Sequence, residues 1–253
     1  MLRIVAVGLA LALGSIPALA QNLPGTVLWE DRGSTDEAAS AMVEALHRFL
    51  DRETLASTAE RARHWNRDVS SPEAYTRSVE PNRQQLKSIL GVFDPRAQPV
   101  TMHLVGSTEA PAEVARAKEF RVSTVRWDVY PNVQAEGLLL EPEGEAIAQV
   151  VAMADCDVLP EQLVGLRDGL VQEAQVARLL AEAGCRVVVP VLLDRSTTFS
   201  GNPSLAMTNL SHREWIWRQA FEAGRHPIGY EVDAVRAAVD WFSREGQPDL
   251  PIG

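Results

Sequence analysis

Two short apolar runs, 148–154 (Ala-Gln-Val-Val-Ala-Met-Ala) and 186–191 (Arg-Val-Val-Val-Pro-Val), bracket a helical period. Within it Leu170, Ala174, Ala177 and Ala181 recur at i, i+4, i+7 and i+11, with Leu180 beside them. The period predicts a helix closing at Gly184, where a left-handed cap is expected. β-Branched runs on either side of a helix predict parallel strands covered on both faces and joined by a right-handed crossover. Upstream the period changes to two. Apolar and polar residues alternate over 100–105 and 120–129, as half-buried antiparallel strands do; Tyr130-Pro131-Asn132 is a turn, 135–140 is the next strand, and 142–145 is a turn.

The first third reads as helical. Ser34 and Glu37 form a capping box ahead of Met42, Leu46, Phe49 and Leu50, and a second, more polar helical stretch covers 53–64. Ser71-Pro72-Glu73 starts another helix, and Pro81 restarts it through Leu86, Ile89 and Leu90 to Gly91. After Val191 comes a long polar excursion, 194–209. Ser211-His212-Arg213-Glu214 is a capping box for a helix with Trp215, Ile216, Trp217 and Phe221, ended by Gly224. A last helix carries Val232, Val235, Val239 and Phe242 on its expected core face, with Gly246 and Pro248 as its stop. Residues 250–253 open a further strand. The fold class is therefore α/β: a mixed, mostly parallel sheet with flanking helices over 99–253, preceded by a helical N-terminal region, 21–98.

The first residues add a compartment. Arg3, an apolar run over 4–13, the breakers Gly14, Ser15 and Pro17, and Ala18-Leu19-Ala20 compose a secretory signal peptide, 1–20. The mature chain is expected to start near Gln21, with a loose arm to about residue 30, and to be secreted or periplasmic. No later segment is long enough to span a bilayer. The formal net charge is -10, with no cluster of Lys and Arg interleaved with aromatics, which excludes nucleic acid and an anionic membrane as partners. Of the two cysteines, Cys156 follows the first core strand and Cys185 precedes the second. Parallel neighbours would hold them roughly 20 Å apart, far beyond the ~7 Å between Cα atoms of a disulfide.

The segments Arg195-Ser196-Thr197-Thr198-Phe199-Ser200-Gly201-Asn202-Pro203, Thr208-Asn209 and His212-Arg213-Glu214-Trp215-Ile216-Trp217-Arg218, with Gly224-Arg225-His226-Pro227-Ile228-Gly229-Tyr230-Glu231-Val232 and Ala237-Ala238-Val239-Asp240-Trp241-Phe242, stand in sequence order across the second half of the chain. Together they resemble secreted bacterial α/β-hydrolases of the dienelactone hydrolase and acetyl xylan esterase type. The likeness covers roughly residues 121–253. It implies a nucleophile on a sharp elbow after the fifth core strand, followed by an acid and a His. No Gly-x-Ser-x-Gly occurs from Met1 to Gly253. The expectation is an N-terminal part of a larger enzyme, its α/β-hydrolase domain cut before the elbow and all of its catalytic residues C-terminal to Gly253.

What the resemblance does place within the chain is an oxyanion-hole contribution. The backbone N–H groups of Asp155 and Cys156, in the turn after the third core strand, are the candidates; an acidic turn capping the next helix is the competing account. Arg195, Asn202 and Asn209 in the long loop are substrate-contact candidates, against a plainly solvated loop. No cofactor and no metal site is expected. His47, His64 and His103 lack zinc-ligand spacing, and Asp155 and Asp157 lack a calcium loop. His212 and His226 read as a first-turn and a packed or capping residue. Trp215 and Trp217 cannot both face a core, which leaves one of them to line a pocket or lie under a lid. The expected activity is serine-type hydrolysis of small-molecule or polysaccharide esters, carbohydrate acetyl esters among them. The alternative is a non-catalytic secreted binding domain or pseudoenzyme of the same fold.

Overall fold

A computed structural model describes residues 35–200, 204, 209–245, 247 and 249–253. The signal segment, the arm behind it, Ser34, Asn202, Gly246 and Pro248 lie outside the described residues. The chain divides into two compact units, Met1–His64 and Trp65–Gly253.

In the first unit a single helix, α1, runs Thr35–Glu60 and tightens into a 3₁₀ turn at Arg61–His64. The expected break before Glu53 is absent. Neither Gly nor Pro occurs between Leu50 and Glu60, so nothing interrupts the hydrogen-bond ladder.

The second unit opens with α2, Pro72–Leu90. Ser71 caps it, its Oγ accepting from Ala74 N at 3.1 Å, and Gly91 closes it at φ 66°. Pro81 sits inside α2 rather than restarting it. The helix runs on with one amide donor fewer, supported by the ladder on either side.

Six strands follow: β1 Met102–Leu104, β2 Glu113–Arg116, β3 Phe120–Tyr130, β4 Val133–Pro142, β5 Ala148–Val151 and β6 Cys185–Pro190. They form one sheet in the order β1-β3-β4-β6-β5, with β2 also paired to β3. The β3–β4 hairpin is antiparallel and turns at Asn132, whose φ of 64° is tolerated by its short amide side chain. β4 meets β6 antiparallel, and β5 lies parallel to β6 with Ala148 opposite Cys185 and Val151 opposite Val188. The two apolar runs are thus parallel neighbours, as the pattern predicts, but the sheet is not mostly parallel. Among the described residues β1–β3, β2–β3, β3–β4 and β4–β6 all pair antiparallel, because the strands before β5 are joined by short turns that reverse the chain rather than by helical crossovers. Cys156 and Cys185 are both free and buried, Cys185 in the first pair of the β5–β6 ladder and Cys156 beyond its other end.

The crossover differs from its prediction. One helix was expected through Leu170; instead α3, Pro160–Val164, ends at Gly165, and α4, Val176–Glu182, begins after a 3₁₀ turn at Gln172–Ala174. Gly165 and Gly169 take φ of 79° and 133°, conformations that stop a right-handed helix. Ala177 and Ala181 still reach the sheet and are fully buried. Gly184, at φ 94°, ends α4 where the cap is expected.

Each face of the sheet carries its own core. Leu163, Val164, Ala177 and Ala181 of α3 and α4 pack on Phe120, Val122, Leu138, Leu140, Val187 and Val189. On the other face α6, Pro227–Glu245, lays Ala234, Ala237, Ala238 and Phe242 on Val125, Trp127, Val129, Leu139 and Val188. Val187, Val188 and Val189 are therefore all buried, the signature of a strand covered twice. Phe242 faces the core as predicted, whereas Val232, Val235 and Val239 are only half-buried. The small alanines let the helix approach closely enough for Trp127 Nε1 to donate to Ala234 O at 3.0 Å.

α5, His212–Glu222, precedes α6, and the chain then returns to the sheet. Gln149 N donates to Pro251 O at 2.9 Å, Gly253 N to Gln149 O at 2.9 Å and Val151 N to Gly253 O at 3.0 Å. Residues 251–253 thus pair in parallel on the free side of β5. From β5 the chain crosses to β6 over one face; from β6 it passes back beyond β5 over the other. Opposite directions on opposite faces give both crossovers the same hand, which for parallel connections is right-handed almost without exception. They also make the carboxyl end of β5 the point where connections diverge, the usual location of a ligand crevice in open α/β sheets.

Candidate functional site

Two loops leave the carboxyl ends of the parallel strands, 152–159 from β5 and 191–211 from β6. In the first, Asp155 folds a tight turn: Oδ1 accepts from Asp157 N at 3.2 Å, and its carbonyl accepts from Val158 N at 2.9 Å. Cys156 is buried at the turn's centre, its Sγ 3.5 Å from Asp155 Oδ1 and 3.8 Å from Asp157 Oδ1. Among the described residues no acceptor faces the backbone N–H of Asp155 or Cys156. Those two amides are the donors that the resemblance assigns to an oxyanion.

Arg195, from the second loop, closes this turn. Its Nη1 donates to Asp155 Oδ1 at 2.9 Å and Asp157 Oδ2 at 2.6 Å, and its backbone N donates to Asp157 Oδ1 at 2.9 Å. The backbone donor of Asp157 and then Arg195 hold the Asp155 carboxyl below the usual range. The backbone and side-chain donors of Arg195 do the same for Asp157. Burial pushes the Cys156 thiol up, with the positive charge of Arg213 working against it. Asp155, Cys156 and Asp157 cluster as metal ligands do, but the guanidinium already occupies the position between the two carboxylates that a cation would take.

The start of the second loop is pinned from α5 and α6. Arg213 donates to Leu193 O at 2.8 Å and forks onto Glu231 at 2.6 and 3.1 Å, while Leu193 N donates to Glu231 Oε1 at 3.1 Å. Ser211 caps α5 by accepting from Glu214 N at 3.2 Å. His212 is the first residue of α5, as predicted. Its Nδ1 lies 2.5 Å from Asp194 Oδ1 and 3.3 Å from Ser196 Oγ, and its Nε2 accepts from Phe199 N at 2.9 Å. Burial works to raise the Asp194 carboxyl, yet the donors Ser196 and His212 outweigh it and hold the group below its ordinary value.

Ser196, His212 and Asp194 have the composition of a triad without its geometry. A serine nucleophile needs Nε2 of the histidine as base, with Nδ1–H held by the acid. Here Nε2 is spent on a backbone N–H, and the serine sits on the Nδ1 side. The trio fastens residues 194–199 to α5.

Next to Arg195 lies a cleft of about 380 Å³ lined by Arg195, Ser211, Arg213, Glu214, Trp217 and His226. Trp217 lines this cleft, and neither Trp215 nor Trp217 is buried. His226 Nδ1 accepts from Ile228 N at 3.1 Å at the start of α6, the capping role expected of it.

Of the residues singled out in the sequence, Asp155, Cys156 and Arg195 come together. Asn209 is exposed and makes no contact with them, Asn202 lies outside the described residues, and His47, His64 and His103 are dispersed over α1, its 3₁₀ turn and β1. Asp157's bond to Arg195, and the Arg213–Glu231 fork, were missed. Both join residues 18 or more positions apart, and only the acidic pair beside Cys156 hinted that a cation was needed.

No family model matches the chain, and no curated protein does. Among solved structures, a protein from Bacteroides fragilis NCTC 9343 provisionally named an acetyl xylan esterase is similar at 13% identity and a TM-score of 0.47. The similarity covers 68% of this chain and 44% of that one, so the chain spans less than half of that structure's length.

Proposed function

We propose that this chain belongs to an exported, esterase-like serine hydrolase of carboxylic esters, carbohydrate acetyl esters included, and supplies the oxyanion side of its active site. The observation that carries the reading is the place of β5. It lies between β6 and the parallel segment 251–253, at the point where the crossovers diverge. A turn there with unspent amides lies at the carboxyl edge, where a loop following 251–253 would emerge. In this reading that loop is the nucleophile elbow, and the Asp155 and Cys156 amides stabilise the tetrahedral oxyanion formed on the ester carbonyl. The Ser196–His212–Asp194 trio stays structural.

The test uses the protein translated through the whole reading frame that contains this chain. Turnover of p-nitrophenyl acetate and covalent labelling by a fluorophosphonate are expected. Absence of both from the folded protein rejects the esterase reading in favour of a non-catalytic binding domain. Export is checked by the N-terminal mass of the mature protein, expected to begin near Gln21.

A further inference from the structure

The proposed oxyanion turn has a physical difficulty: it carries two carboxylates. Asp155 and Asp157 flank Cys156, and both are held ionised. A negative charge developing on a substrate oxygen beside them would be repelled by each, and more strongly once substrate excludes water. Left alone, the same two side chains would also be free to swing onto their own amides, as aspartates in turns do.

Arg195 answers both difficulties from outside the turn. It arrives on the β6 loop, 38 residues beyond Asp157, and bonds both carboxylates through one nitrogen while its own backbone amide takes Asp157's remaining oxygen. The two residues before it are fastened in turn. Asp194 is held by His212, and Leu193 is held at both its N–H and its C=O by Glu231 and Arg213. The guanidinium is therefore set in place by α5 and α6 before any ligand arrives. Its Nη1 is spent on the turn, which is a different use from the substrate contact that its loop position suggests.

We propose that Arg195 is a positioning residue for the oxyanion turn: it fixes both carboxylates away from the Asp155 and Cys156 amides and cancels charge that would oppose the oxyanion. This rests on the esterase reading for its consequence in catalysis, but its electrostatic content is measurable without turnover.

Cys156 is the reporter. Its thiolate is an anion at the centre of the turn, as an oxyanion would be, and thiolate content sets its rate of alkylation. Cys185, the first residue of β6 at the other end of the β5–β6 pair, serves as reference for global opening. In the 253-residue chain the rate of iodoacetamide modification of each cysteine is followed by peptide mass spectrometry at about pH 8. For R195Q the Cys156 rate is expected to fall by about tenfold, the equivalent of one pKa unit. D157N is expected to raise it severalfold, and R195K, which keeps the charge, to stay within about threefold of wild type. The sign matters, because a turn merely loosened by losing Arg195 would expose the thiol and react faster. An unchanged or faster Cys156 rate in R195Q, or equal slowing in R195K, overturns the proposal.

In the full-length enzyme R195Q is expected to lower kcat by about 10- to 100-fold with KM within about twofold, and R195K to recover most of the loss. A rise in KM at unchanged kcat would make Arg195 a substrate contact and overturn the positioning role. Alkylation rates as expected in a protein without esterase activity reject the esterase reading alone. Ordinary turnover with unaltered alkylation rejects the role of Arg195 alone.

Discussion

Gly137 lies at the seam where the antiparallel half of the sheet joins the parallel half, opposite Pro190. A Cβ at that position would lie 2.2 Å from Val189 O and 3.0 Å from Pro190 Cα, and contacts under 3.0 Å are essentially never seen for a real Cβ. The obstacle is backbone, so no rotamer change relieves it. β4 and β6 must part locally by at least about 0.8 Å, the difference between 3.0 and 2.2 Å, across a ladder of only four residue pairs. Overpacking of this kind costs roughly 1–3 kcal/mol, and one weakened ladder hydrogen bond adds about 1 kcal/mol, so Gly137→Ala should destabilise by about 2–4 kcal/mol. For a body of this size each kcal/mol moves the midpoint by about 2–4 °C, giving a fall of roughly 4–16 °C. Gly144→Ala is the matched control: nothing lies within 4 Å of its added Cβ, and its φ is not positive. It should be neutral or raise the midpoint slightly, through the reduced freedom of the unfolded chain. Circular dichroism melts of the three proteins decide it. Equal midpoints for wild type and Gly137→Ala would mean that the β4–β6 register is not the one described, and the placement of β5 would fall with it.

Trp127→Phe removes the donor to Ala234 O under α6 and part of a fully buried side chain. It should cost about 2–4 kcal/mol, seen as a lower urea midpoint at an unchanged slope. Ser71→Ala deletes the cap of α2 and should cost about 1 kcal/mol in the same measurement. Asp94 is held below the usual carboxylate range chiefly by the Arg225 guanidinium, 2.6 Å from each oxygen. A depressed folded pKa contributes stability above the unfolded value near 4 that is lost as pH falls through the folded value. Melts should therefore be level from about pH 7 to 5 and decline below about 4, with a shallower decline in Asp94→Asn.

The sheet was legible where local pattern and burial agree. Alternation marks β3, and runs of three consecutive apolar residues mark β4 (Leu138, Leu139, Leu140) and β6 (Val187, Val188, Val189), which both layers cover. Ser71 and Ser211 cap the helices that their spacing announced. β2 was not legible, because four residues with a bulge between Glu113 and Ala115 leave no period to read. The split of α3 from α4 depends on two glycines in left-handed conformations, and composition does not separate these from glycines that a helix merely tolerates. In α6 the valine spacing and the alanine spacing are both helical. The alanines win the sheet-facing position because Trp127 already fills the space there and only small side chains let the helix come close enough to accept its N–H.

The candidate site divides along the same line. Backbone donors have no residue signature, so Asp155 and Cys156 could be proposed only through the order of the strands and the resemblance. Arg195 was visible as a cation in a long loop, but its partners lie 38 and 40 residues away and no local rule connects them. What the sequence does contain is an imbalance: two aspartates around a buried cysteine, in a turn with no positive residue nearby. Two adjacent carboxylates beside an apolar thiol call for a counter-charge from another element, because ionising both without one is unfavourable. In this topology the loop leaving β6 is the neighbouring connection at the carboxyl edge, which makes its first cation the natural candidate. An acidic turn after a parallel strand is thus a reason to look for its partner at the end of the adjacent strand, before reading that partner as a substrate contact.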